Sequence, residues 1–194
     1  MPDMLALSAD GTEFPIAVPK GSLSDETACY SKTNSFSFLQ TGNHQPAAIA
    51  NIPENVKSAM LVFLPAPKTP NTLPWRVFVV EDSPKNFPDG GAFVANFYSQ
   101  DIRFVIGESK IMLKPGGFVG VPRPTKRDDF NMAPVVFQFL QDVSWRNASE
   151  TMLRFLPNKN YLMFAYLDPA SGRPRVTTVQ NVKLPVAVPE VVEP

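Results

Sequence analysis

One cysteine and one histidine are all that the 194 residues hold of each. A lone cysteine excludes an intramolecular disulfide framework, and a lone histidine excludes the multi-histidine metal sites. Neither sign of charge is in excess. The 18 basic side chains match the 18 acidic ones, and the isoelectric point is near 6.6. A nucleic-acid partner normally leaves a basic patch or stripe, so none is expected. Long apolar runs are missing too: Ala59–Leu64 is six residues, far below the roughly 18 that a membrane-spanning helix requires. Phosphate loops, dinucleotide fingerprints and zinc-ligand spacings are all lacking, so the sequence predicts no cofactor.

What the chain has in excess is proline, 21 residues, about twice the average share of roughly 5%. Inside a helix each proline costs about 3 kcal/mol, and the gaps between them are mostly too short for helical architecture. Those gaps carry alternating or short continuous apolar runs, which read as strands. Phe36 and Phe38 stand between serines in a half-buried strand. From Val135 to Trp145, five of six odd positions are apolar, so period two prevails. The runs 59–64, 75–80, 92–98 and 161–167 are apolar on both faces, as central strands are. With 102–106, 110–113, 151–156 and 175–184, about ten strands are expected. Ser24–Tyr30 is the one stretch with a helical signature, Ser24 standing as an N-cap.

Turn chemistry agrees. Gly107-Glu108 suits a type II′ hairpin turn, and Asp10-Gly11, Lys114–Gly117 and Asp168–Gly172 are further turns. The proline-rich stretches 65–74 and 120–134 read as long loops within one domain. The prediction is therefore an all-β chain: an antiparallel β-sandwich of about eight to ten strands, immunoglobulin-like, with a β-barrel as alternative. It is read as a single domain over 1–184, with an extended tail over 185–194.

No catalytic constellation is legible. Cys29 and His44 are fifteen positions apart but lie in no nucleophile motif, and His44 reads as part of a solvated turn. Asp128-Asp129, Glu81-Asp82 and Asp89 lack the D-x-D-x-D-G spacing of a calcium loop. A carboxylate-based glycan hydrolase needs two facing acids, which sequence does not show. The candidate binding residues are few. Arg123, Lys126 and Arg127 form a loop that either clamps an anion or neutralises itself with Asp128 and Asp129. The 15 phenylalanines suit a core, whereas Trp75 and Trp145 are candidates for a surface patch that takes a protein or glycan. Asn147-Ala148-Ser149 matches the glycosylation sequon.

The residues Phe87-Pro88-Asp89-Gly90-Gly91-Ala92-Phe93-Val94-Ala95-Asn96-Phe97, then Ile102–Gly107 and Leu113–Gly116, form the most distinctive stretch. It resembles small exported bacterial β-sandwich proteins of unknown function and the DUF4397-type immunoglobulin-like domains. The resemblance implies an antiparallel sandwich, an envelope location and a structural role for Asn96, bonding loop backbone. The start Met1–Leu7 lacks the basic residues and long apolar stretch of a secretory signal. It is either a cytosolic start or the start of a chain whose signal has been removed. High proline and scarce cysteine favour a periplasmic or extracellular place, with the cytoplasm as alternative. The expected function is a non-catalytic binding or assembly module. A structural subunit of a surface layer or virion is the second reading, and the glycan hydrolase the third.

Overall fold

The computed structural model describes residues 4–67, 69–168 and 171–182. Among them there is no helix, and the chain forms two compact units, Met1–Asn86 and Phe87–Pro194. The division falls within Ser83-Pro84-Lys85-Asn86-Phe87-Pro88, whose two prolines do not stand out in a chain with 21, which is why the sequence reads as one continuous domain. The expected tail lies outside the described residues.

The first unit is built from β1 (Met4–Ala9), β2 (Thr12–Ala17), β3 (Ser35–Gln40), β4 (Pro46–Asn51), β5 (Ala59–Pro65) and β6 (Trp75–Glu81). A four-stranded sheet in the order β2-β1-β3-β4 faces the two-stranded β5-β6 sheet. Asp10 and Gly11, at φ 46° and 84°, make the tight β1–β2 turn, a left-handed pair that aspartate and glycine tolerate. Leu5, Leu7, Phe36 and Phe38 come from alternate positions of β1 and β3 and fill the core with Ala47, Ala48 and Ala50. Phe63 meets Phe38 edge to face, with ring centroids 5.0 Å apart.

The second unit holds β7 (Ala92–Asn96), β8 (Ile102–Ile106), β9 (Ser109–Leu113), β10 (Phe118–Val121), β11 (Met132–Gln141), β12 (Ser144–Arg154), β13 (Lys159–Leu167) and β14 (Pro174–Val182). Two four-stranded sheets, β10-β7-β13-β14 and β12-β11-β8-β9, enclose one core. Inward residues alternate as period two requires: Ile102, Phe104 and Ile106 from β8, and Ala133, Val135 and Phe137 from β11. β7 and β13 pair in parallel; the other pairings are antiparallel. Among the described residues no sheet closes on itself, so the barrel alternative falls and an all-β, largely antiparallel sandwich stands.

Among the described residues fourteen strands are present, against the eight to ten expected. The additional ones are β1, β2, β4 and β10. β2 and β4 each carry a proline at a sheet edge, where its missing N–H costs no ladder bond. The alternation over 135–145 also conceals a reversal. β11 ends at Gln141, the chain turns at Asp142 (φ 56°), and Val143 is 93% exposed, while Trp145 already belongs to β12. The two-residue hairpin loop pairs Leu140 with Trp145 and Phe139 with Arg146, so parity inverts through it and Trp145 lies on the opposite face from Phe137 and Phe139. Ser24–Tyr30 is irregular, exposed chain rather than a helix. Gly107, at φ 56°, sits between Ile106 and its partner Ser109, as a type II′ turn demands.

Candidate functional site

Asn96 shows how local sequence builds a site. It is fully buried, and its side chain replaces ladder bonds where β7 ends. Nδ2 donates to the carbonyls of Gln100 (2.8 Å) and Leu113 (3.1 Å), and Oδ1 accepts the Tyr98 N–H at 2.9 Å. A buried amide satisfied in this way fixes the backbone around it. The β7–β8 connection is thereby held with Tyr98 against the core. The structural role expected for Asn96, bonding loop backbone, is what it performs.

Tyr98 and Gln100 form one wall of an open groove of about 990 Å³. β12 and β14, the last strands of their respective sheets, supply the other walls. From the β11–β12 hairpin come Phe139, Asp142, Arg146, Asn147 and Ser149; from the β14 end come Arg173, Arg175 and Val176. Local register explains the arginine on the β12 side. A bulge between Phe137 and Gln138 pairs Phe137 with Ser149 and Phe139 with Arg146. Arg146 therefore shares the inward parity of the core residues, at the end of the sheet where the core has run out.

Three guanidinium groups thus line one groove, with a single carboxylate, Asp142, among the lining residues. Arg175 Nε lies 3.0 Å from Asp168 Oδ2. Arg146 and Arg173 are exposed and make no ion pair among the described residues. Gln100, Gln141, Asn147, Ser149 and Tyr98 add donors and acceptors. Guanidinium presents a planar fork that matches a carboxylate or phosphate. Chemically the groove can hold anionic groups and orient them.

None of the five residues singled out from sequence lines it. Trp75 opens β6 in the first unit, half-buried and packed on that core. Trp145 lies on β12, half-buried, with the Arg103 guanidinium 4.5 Å above its ring. The cationic loop is largely spent on its own structure. The Arg127 guanidinium donates to the Pro124 carbonyl. Glu108 accepts the Thr125 N–H and hydroxyl, both at 2.7 Å, and the Lys126 N–H at 3.4 Å. The Thr125 hydroxyl, then its N–H, hold the Glu108 carboxyl down to about 2. The stem of Arg123 lies over Gly90, where a Cβ would come within 2.6 Å of Arg123 Cδ. The sequence signal for the groove was slight: arginines on either side of Pro174, and another beside Trp145.

The remaining candidates are apart from the groove. His44 stands in an exposed turn at φ 53°, with Nδ1 3.1 Å from Glu13 Oε2. Cys29 is on the irregular stretch, and partial burial pushes its thiol pKa up, which disfavours the nucleophilic thiolate. Among the described residues no cluster of three histidine, cysteine or acidic side chains is placed to hold a metal. Compared with known proteins, the chain matches no family model, and no curated protein matches it in sequence.

Proposed function

We propose that the chain is a non-catalytic binding module whose second unit takes a carboxylate-bearing ligand in the β12–β14 groove. The observation that carries this reading is the convergence of Arg146, Arg173 and Arg175 on one open groove of about 990 Å³. Two of the three make no ion pair among the described residues, so their charge is available to a ligand. Guanidinium, amide and hydroxyl groups are prominent in the groove lining, a set suited to holding and orienting an anion. An exported, envelope-associated setting fits the proline-rich, cysteine-poor composition and the resemblance of residues 87–116 to exported sandwich proteins.

The test is calorimetric titration with carboxylate-rich polymers, first the native chain and then Arg146→Ala with Arg173→Ala. Both arginines are exposed, so the double variant keeps the fold. Charge-assisted hydrogen bonds are worth about 1.5–3 kcal/mol each, so affinity should fall at least about tenfold. Binding should also weaken as salt is raised. Undiminished binding by the double variant would remove the groove from the account.

A further inference from the structure

The groove opens where the edges of two sheets come together. β12 and β14 are each last in their sheet and in contact with one another, and among the described residues each pairs with a single strand. Arg146 stands on the β12 wall and Arg173 on the β14 wall, while Phe139, Leu140 and Val176 add apolar surface to the lining. A segment with matching chemistry follows β14 in the chain itself. Residues 183–194 are mostly valine, proline, leucine and alanine, and carry two carboxylates, Glu190 and Glu193. Val188 precedes Pro189 and Glu193 precedes Pro194, and the residue before a proline favours extended backbone. Along an extended segment side chains alternate in direction. Glu190 and Glu193, of opposite parity, would then face opposite sides, one toward each arginine-bearing wall.

We propose that the groove takes residues 184–194 of a second copy of this chain, so that the protein assembles through its own C-terminal segment. The inference rests on the proposed carboxylate groove and names its occupant. A second copy is needed because β14 leads away from the site. The strand has nine residues and begins at the groove, so Val182 lies roughly 25 Å beyond it. To come back, the same chain would have to reverse at once. Residues 183–194 hold no glycine, asparagine or aspartate for such a turn, and Pro185 biases Leu184 toward extended backbone. Pro185 and Pro189 share one parity, so their missing N–H groups fall on one edge of an extended segment. The other edge keeps its donors for the strand it joins, as in recognition by strand addition.

Sedimentation velocity on the full chain tests this with three proteins: native, Glu190→Gln with Glu193→Gln, and Arg146→Ala with Arg173→Ala. The expected result is concentration-dependent association of the native chain, weakened about tenfold or more in each double variant and by added salt. An equimolar mixture of the two variants should recover part of the association, since one keeps its arginines and the other its glutamates. If the native chain is monomeric throughout, or if the glutamate variant associates as the native chain does, the inference is overturned. Calorimetry with a carboxylate-rich polymer then separates the two readings. Binding that requires Arg146 and Arg173 leaves the groove standing without this occupant, and no binding removes both.

Discussion

The two units solve the same packing problem with different means. In the first, four of the nine core residues are alanine. Its second layer is only the β5-β6 hairpin, whose Leu61, Phe63, Val77 and Val79 are half-buried. In the second, two full sheets enclose fourteen core residues, among them Phe104, Phe137, Phe155 and Tyr161. Aromatic side chains bury about 150–250 Å² each, so four of them anchor the sheets firmly at the centre. The groove lies at the β12 and β14 end of this unit, lined mostly by residues outside that core. The comparison teaches that the two units differ in what fills them: alanines under a hairpin in the first, aromatic rings between two full sheets in the second.

Substitutions at the two cores bear most directly on that contrast. Phe104→Ala removes a fully buried ring that packs on Phe137 with centroids 5.3 Å apart, and should cost about 3–5 kcal/mol in denaturant unfolding. Leu61→Ala, at a half-buried position of the first unit, should cost only about 1–2 kcal/mol. Equal losses would mean that the hairpin layer carries as much as the full sheet does.

Gly91→Ala is a backbone counterpart. A Cβ at Gly91 would come within 2.2 Å of the Val121 carbonyl oxygen and 3.1 Å of that of Pro88. Both neighbours are main chain and cannot swing aside. The β7–β10 seam must open, and a loss of about 3 kcal/mol is expected from the same unfolding measurement. A neutral outcome would show that this edge of the sandwich is soft.

The smallest effect belongs to Glu108. Its carboxyl is held at about 2, below the ordinary 4.5, so the ionised form is favoured in the folded state. Its contribution is present above pH 4.5 and fades as pH falls toward 2. Glu108→Gln should therefore melt slightly below the native chain near neutrality, and the two melting temperatures should converge over that acid range. A constant gap from neutrality to pH 2 would count against the carboxylate's role in holding Thr125 and Lys126.

Much of this was legible in the residues because alternation and turn chemistry are local. Ile102–Ile106, the Gly107-Glu108 turn and the apolar runs over 92–98 and 161–167 all read directly as strands and a hairpin. β1 and β4 are not legible, since their alanines, one serine and one proline carry little apolar contrast, although Leu5, Ala47 and Ala50 are buried. The groove was illegible for a different reason. Arg146 is 27 positions from Arg173, and only the β12 bulge and the shared edge of two sheets bring them to one place. Trp145 was noticed for its type, but its partner Arg103 lies on a strand two places away in the sheet.

The most direct test of the central claim is residue-resolved NMR during titration with a carboxylate-rich polymer. The account predicts amide shifts concentrated at Gln138–Ser149, Tyr98–Gln100 and Arg173–Val176, with residues 4–81 unmoved. Shifts confined to the first unit, or scattered evenly over both, would contradict it.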